Sequence, residues 1–193
     1  MKSFELLLQD VVSCQICTES LPLGPRPVLQ AHPSARILIA GQAPSRSVHE
    51  SGIPYHDPSG DRLREWMGIS AEAFYDSRSV AILPMGFCYP GAGKSGDLPP
   101  RPECAPAWRH LLLSRLRHVE LTLVMGRYAQ AYYLGKRGRP VTEVVRSWRQ
   151  HWPRLVPLPH PSPRNRSWLQ RNPWFNEDLL PPLRRRVREL LNL

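Results

Sequence analysis

The chain has 193 residues, of which 41% are hydrophobic, and this length suits one domain with a substantial core. No stretch approaches the roughly 18 apolar residues of a membrane span, and the N-terminal segment carries acidic residues that are atypical of a secretion signal. We therefore expect a cytoplasmic protein with no membrane association, and the formal net charge of +10 indicates a polyanionic partner, with nucleic acid favoured over a membrane surface.

The hydrophobic pattern predicts helices and strands that alternate along the chain. Helical spacing is found over residues 3–13, 61–67, 103–118, 128–134, 141–150 and 181–193. Short apolar runs predict strands over residues 36–40, 80–85, 119–125 and 155–158. Such alternation is typical of a parallel sheet with helices on both faces. The predicted fold is a single α/β domain over residues 1–193, with three α/β/α layers and a central four-stranded, mainly parallel sheet.

Three unusual segments follow predicted strands. They cover residues 41–60, 86–101 and 160–168, and they are rich in Gly, Ser and Pro. Ligands of such sheets bind beyond the carboxyl ends of the strands, so three long loops at one edge favour an active site over plain connections. A nucleotide-binding or phosphate-binding module would use the same edge. The run from Gly91 to Lys94 lacks the full pattern of a phosphate-binding P-loop.

Four cysteines stand in two pairs, Cys14 with Cys17 and Cys88 with Cys104. Thiolates with a tight pair and a distant pair commonly hold an iron–sulfur cluster or a zinc ion. In a reducing compartment such a set favours a metal site over disulfides. Four unrelated reduced thiols are the alternative, because a lone cysteine is a common core residue.

Motifs in the first and last of these segments resemble those of the uracil-DNA glycosylase superfamily. The residues that carry the resemblance are Gly41-Gln42-Ala43-Pro44, then Ser51-Gly52-Ile53-Pro54-Tyr55 with Gly60, and His160-Pro161-Ser162-Pro163. The cysteine spacing is similar to that of the iron–sulfur branch of this superfamily, the family 4 enzymes. The resemblance implies a DNA repair enzyme that hydrolyses the N-glycosidic bond of uracil, or of a related deaminated base, after the nucleotide has flipped out of DNA. It also implies a [4Fe-4S] cluster on the four cysteines, with structural zinc as the alternative.

The resemblance assigns roles to individual residues in the cleft. Tyr55 matches the aromatic residue that stacks on the flipped base, and His160 matches the donor to the departing base. The other substrate-binding residues that it implies are Gly41, Gln42, Ala43 and Ser162.

Contacts to DNA are expected from the same loops. The residues suited to grip phosphate are Ser45, Arg46, Ser59, Arg164 and Arg166. Arg164 stands where several relatives carry a leucine that fills the gap left by the flipped base. The expected partner is single- or double-stranded DNA, bound by a monomer.

Two positions depart from the superfamily. Ala43 stands where the best-known branch has a water-positioning aspartate, so we take His49 and Asp57 as the candidates for activating water. Pro84 stands where relatives carry an asparagine that reads the pyrimidine edge, and proline offers no donor. A glycosylase for a different damaged base, or an iron–sulfur protein of the same fold that binds DNA without turnover, therefore remain alternatives.

Overall fold

Parallel strands form the centre of the computed structural model, which describes residues 3–94, 96–135 and 138–193. The strands are β1 Ile37–Ala40, β2 Val80–Ile82, β3 Ala92–Gly93, β4 Gly96–Asp97, β5 Leu121–Met125 and β6 Leu155–Leu158. The central sheet has the order β2-β1-β5-β6, and each neighbouring pair in it is parallel. This confirms the predicted α/β fold and its four strands. Strands β3 and β4 form a separate antiparallel hairpin.

Helices cover both faces of this sheet. The α-helices are α1 Phe4–Val12, α2 Arg46–Ser51, α3 Pro58–Met67, α4 Ala71–Tyr75, α5 His110–Leu113, α6 Gly126–Leu134, α7 Val141–Arg146, α8 Arg166–Arg171 and α9 Leu180–Leu191. Wider π-helical turns precede α5 and α9, over Ala105–Arg109 and Phe175–Leu179. No helix in the described part of the chain is both long enough and apolar enough to cross a membrane.

The two helical layers follow from the alternation of side chains along the strands. Ile37 and Ile39 of β1 belong to the core cluster that contains residues of α3 and α9. Leu38, between them, belongs to the opposite cluster, which contains residues of α1 and α5. All three side chains are almost fully buried. The central sheet is therefore sandwiched, as the apolar character of its strands predicts.

Several predictions about local structure were wrong. Strand β2 ends at Ile82 and not at residue 85, and α7 ends at Arg146 and not at residue 150. The segment 41–60, predicted as turns, contains α2 and the start of α3, because Ser45 and Asp57 cap these helices with side-chain oxygens. The segment 103–118, predicted as one helix, begins with a π-helical turn and its α-helix ends at Leu113. The wider turn changes which residues face inward. Within this segment Leu111 is 47% exposed, whereas Arg109 is fully buried.

Candidate active site and cysteine cavity

A cleft opens at the carboxyl ends of β1, β2 and β6. Gln42, Ala43 and Ser45 reach it from the segment after β1, and His160 reaches it from the segment after β6. Tyr55, between α2 and α3, also lines the cleft. The remaining lining residues are mostly apolar: Val28, Pro44, Val48, Pro54, Ile82 and Pro84. The cleft thus combines residues that are far apart in the sequence and that the motifs had singled out.

Tyr55 is held firmly in this cleft. Its backbone is left-handed, with φ of 56°, and its carbonyl oxygen accepts a hydrogen bond from the Tyr75 hydroxyl at 3.3 Å. Its ring packs edge-on against Phe74, with centroids 6.2 Å apart. Burial, and secondarily the charge of Asp57, raises the pKa of the Tyr55 hydroxyl far above its ordinary value, so the group stays neutral. The ring is a fixed apolar surface suited to a planar ligand.

Two glycines make this position of Tyr55 possible. A Cβ atom on Gly41 would lie 2.3 Å from the Tyr55 hydroxyl oxygen. A Cβ atom on Gly60 would lie 1.8 Å from the Tyr55 carbonyl oxygen. Both distances are far below van der Waals contact. The glycines of the sequence motif are therefore needed for the close approach of the aromatic residue.

His160 presents a hydrogen-bond donor to the cleft. Its Nδ1 atom accepts a hydrogen bond from the backbone N–H of Ser162 at 3.2 Å. Burial lowers the pKa of the imidazole, although the negative charge of Asp57 acts in the opposite direction. A neutral ring that accepts at Nδ1 carries its proton on Nε2. His160 can therefore donate from Nε2 to a ligand oxygen.

Arg62 of α3 supports the loop that carries His160. Its Nη1 atom donates to the carbonyl oxygens of Ser162 at 2.9 Å and Pro161 at 3.4 Å. From the other side, the Asn165 amide donates to the His160 carbonyl at 2.7 Å. The sequence analysis missed Arg62, because an arginine on an amphipathic helix is typical of a solvated surface. The loop is anchored on both sides of the catalytic candidate.

Neither candidate for water activation lines the cleft. Asp57 caps α3: its carboxylate accepts from the backbone N–H groups of Ser59 and Gly60, each at 3.0 Å, and from the Ser45 hydroxyl at 2.9 Å. His49 is buried on α2, and its ring centroid lies 6.3 Å from that of Tyr89. No hydrogen-bond partner for His49 Nδ1 occurs among the described residues. The role of both residues stays a prediction.

The candidates for phosphate contact occupy two places around the cleft. Arg46 is exposed on α2 and pairs with Glu50 at 2.9 Å, while Ser59 lies in the first turn of α3. The Ser162 hydroxyl accepts from the backbone N–H of Arg164 at 3.3 Å. Arg164 and Arg166 are exposed beyond that serine, and Arg164 also lies against the hairpin of β3 and β4. A cationic surface therefore adjoins the cleft on the side of the last loop.

Arg109 supports the wall of the cleft formed by Pro84. This arginine is fully buried, and its Nη2 atom donates to the carbonyl oxygens of Leu83, at 2.7 Å, and Pro84. Its Nη1 atom donates to the Tyr133 hydroxyl at 2.9 Å. Sequence reasoning missed it, because the π-helical turn that directs it inward has no clear sequence signal. The Pro84 carbonyl already accepts a hydrogen bond from Arg109, and proline itself has no donor to offer to the cleft.

The four cysteines line one cavity at the end of α1. The empty volume of the cavity, including its opening to solvent, is about 410 Å³. The indole N–H of Trp108 donates to the sulfur of Cys14 at 3.2 Å, and the backbone N–H of Phe87 donates to the sulfur of Cys104 at 3.3 Å. No three or more Cys, His, Asp or Glu side chains in the described ranges are grouped so that they could hold a single metal ion.

The chemistry of this cavity fits a sulfur-ligated cofactor. Burial raises the pKa of the Cys88 thiol to about 11 and that of Cys104 to about 12, so these thiols stay protonated without a cation. A thiol sulfur is a weak hydrogen-bond acceptor, whereas a thiolate bound to a metal is a good one. The N–H groups directed at Cys14 and Cys104 thus suit ligated thiolates. Four thiols are the donor set that an iron–sulfur cluster or a zinc ion requires, although the described side chains are not grouped closely enough to hold a single ion.

Comparison with known protein families agrees with this architecture. A sequence model of the Uracil DNA glycosylase superfamily matches residues 30–184. The match includes the central strands, the loops that line the cleft, and Cys88 with Cys104, while Cys14 and Cys17 lie before it. Since the match covers well over half of the chain, the protein belongs to the uracil-DNA glycosylase superfamily.

Proposed function

We propose that this protein is a DNA glycosylase that hydrolyses the N-glycosidic bond of uracil, or of a related deaminated base, and leaves an abasic site in DNA. The observation that carries the proposal is the neutral His160 in the cleft, with its Nδ1 atom already occupied by the Ser162 N–H. Only Nε2 is left to act, and it acts as a donor. The superfamily match supports a glycosylase in general, and the motifs support uracil.

Substrate capture requires that the damaged nucleotide leave the base stack, at a cost of a few kcal/mol. The face of Tyr55 then replaces part of the lost stacking. Its rigidity matters, because a ring already held by Phe74 and Tyr75 loses little freedom when the base arrives. The exposed Arg164 and Arg166 hold the phosphates beside the flipped nucleotide. Arg164 also fills the space left in the duplex.

Bond cleavage places negative charge on the base and positive charge on the sugar. The Nε2–H of His160 donates to the base oxygen on which the negative charge grows. The charge of Asp57 acts on both Tyr55 and His160, so its carboxylate adds to the negative potential around the cleft. Water then adds to the sugar carbon, and the proton that it loses neutralises the departed base anion. Asp57 or His49 assists that step.

The base is recognised mainly by shape and by backbone groups. Pro84 has no donor, and its carbonyl accepts from Arg109. Ala43 adds no polar group, and the Gln42 amide nitrogen donates to the Leu98 carbonyl at 3.1 Å. These features favour a second candidate function, excision of a different damaged base of similar size. A third candidate, DNA binding without turnover, is favoured by Ala43 alone.

A [4Fe-4S] cluster on Cys14, Cys17, Cys88 and Cys104 completes the proposal, with structural zinc as the alternative. When bound, the group supplies cross-linking rather than redox chemistry, because base removal transfers no electrons. Its four ligands join the end of α1 to the segment between β2 and the π-helical turn at Ala105–Arg109. Iron and zinc analysis of the purified protein distinguishes the two: four irons with visible absorbance support the cluster, and one zinc in a colourless protein contradicts it.

A strand-cleavage assay tests the catalytic proposal. Oligonucleotides with a single uracil, or with one of several other lesions, are incubated with the protein and then with alkali, which breaks DNA only at abasic sites. We expect cleavage of uracil-DNA, and His160→Ala should lower the single-turnover rate by about 10²–10³ while DNA affinity is retained. The exposed His118 provides the control, and His118→Ala should leave the rate unchanged. Full activity of His160→Ala would contradict the assigned role.

A further inference from the structure

A second, larger groove lies beside the cleft, between the segment 100–106 and α6. Its floor and sides include Met85, Tyr128 and Tyr132, and its cationic residues are Arg101 and Arg127. Tyr132 is 48% exposed although it is a large aromatic residue. The Arg127 guanidinium lies over the Tyr128 ring, 4.8 Å from its centroid. The groove thus offers aromatic faces next to positive charge.

Positive charge in this groove is only partly neutralised by acidic residues. No acidic side chain is among the described residues that line it. Arg101 pairs with Glu103 at 2.7 Å, but no carboxylate of the described residues contacts Arg127. Beneath the groove, the buried Arg109 guanidinium lies 5.5 Å from the Tyr132 ring centroid, and no described carboxylate contacts it either. The field in the groove therefore favours an anionic ligand.

The groove and the cleft lie at the same edge of the sheet. Met85, which lines the groove, directly follows Pro84, which lines the cleft. Helix α6 begins at Gly126, immediately after β5 ends, so its first turn with Arg127 lies at the same edge of the sheet. The groove is therefore a neighbour of the cleft at the carboxyl ends of the strands.

We propose that this groove binds the single-stranded stretch of DNA next to the flipped nucleotide. Bases stack on Tyr132 and Tyr128, and Arg127 contacts a phosphate, which is the combination found where proteins track single strands without sequence preference. The inference depends on the proposed function only in taking DNA as the ligand. An apolar peptide would also fit the proline-rich wall, but the positive charge of Arg127 without a described carboxylate partner, and the position of the groove beside the cleft, favour DNA.

Binding of oligonucleotides of two lengths tests this proposal. Fluorescence anisotropy is used with uracil-containing single strands of about 4 and about 16 nucleotides, so that only the longer one reaches from the cleft into the groove. Tyr132→Ala should weaken binding of the long strand about tenfold through loss of stacking and leave the short strand unaffected. Tyr132→Phe, which retains the ring, is the matched control and should bind both strands like wild type.

Salt dependence provides a second readout. Arg127→Gln should lower the slope of log affinity against log salt by about 0.7 on the long strand, the value for one phosphate contact on single strands. Tyr132→Ala should leave that slope unchanged. The proposal is overturned if Tyr132→Ala binds the long strand like wild type, the result expected of a peptide groove, or if both strands weaken equally.

These outcomes are separate from those of the strand-cleavage assay. Length-dependent binding that Tyr132→Ala abolishes, in a protein that forms no abasic sites, would support the groove and refute the glycosylase. If the protein cleaves uracil-DNA and Tyr132→Ala binds both strands like wild type, the glycosylase is supported and the groove proposal is refuted. A wild-type protein that binds neither strand would overturn the groove proposal, while the strand-cleavage assay would still decide on the glycosylase.

Discussion

Replacement of Arg109 by methionine would show how much the buried guanidinium stabilises the fold and the wall of the cleft. The change removes the donors to the carbonyl oxygens of Leu83 and Pro84 and to the Tyr133 hydroxyl. Each buried acceptor left without a donor costs about 1–3 kcal/mol. Removal of a desolvated charge offsets part of this cost. We expect a net loss of about 2–4 kcal/mol in the free energy of unfolding, which lowers the Tm by about 5–15 °C for a chain of this size.

Thermal unfolding followed by circular dichroism measures this effect. Arg185→Met on α9, where the arginine is exposed, is the matched control and should change the Tm little. The Tm of Arg109→Lys should lie between those of wild type and Arg109→Met, because an ammonium group keeps the charge but cannot donate in the forked geometry of the guanidinium. A Tm for Arg109→Met equal to or above that of wild type would refute the reasoning. The cost of desolvating the guanidinium would then equal or exceed the free energy gained from its hydrogen bonds.

Three further predictions concern the cysteines, DNA binding and pH. Cys88→Ser should lower the Tm of the metal-loaded protein more than Tyr55→Ala does, because loss of a ligand frees the two segments that the metal joins. Equal Tm values for the two variants would argue against one site formed by all four cysteines. Affinity for DNA should fall about 10³–10⁵-fold between 50 and 200 mM salt if 6–10 phosphates are contacted, and a flat response would exclude such contacts. Burial lowers the pKa of His160 and the neutral ring is the donor, so the single-turnover rate should hold as the pH falls through 6.5 and decline only below it. As the pH falls below 6.5, the free energy of unfolding should also decrease, because the histidine of the unfolded chain is protonated at a higher pH than that of the folded chain. A single-turnover rate that is already halved at pH 6.5 would contradict the assignment.

The sequence predicts the sheet well because its signal is local. Strand β6 has the predicted bounds, and β1 differs by one residue at its start, since each is a short apolar run bounded by polar or turn-forming residues. The motifs also predict much of the cleft: Gln42, Ala43, Ser45, Tyr55 and His160 line it together. Loops at the carboxyl ends of parallel strands meet at one edge whatever their separation in sequence.

What the sequence does not predict depends on contacts between distant segments. Helix α2 is six residues long and has a weak apolar pattern, so its serine cap is decisive. Arg62 and Arg109 are typical surface residues by type, and only tertiary structure turns their guanidinium groups toward backbone carbonyls. The placement of Asp57 as a helix cap, outside the lining of the cleft, likewise follows from the course of the chain around α3.

The close fit of Gly41 and Tyr55 restricts the order in which these two positions can change during evolution. A methyl group on residue 41 would collide with the Tyr55 hydroxyl oxygen at 2.3 Å, but it would lie 3.4 Å from the ring carbon that carries the hydroxyl, which is ordinary contact. Gly41→Ala is thus harmful while tyrosine is present and acceptable once Tyr55→Phe has occurred. Descendants of this chain can reach the double replacement through the phenylalanine intermediate alone, so tyrosine in the cleft keeps the neighbouring glycine in place.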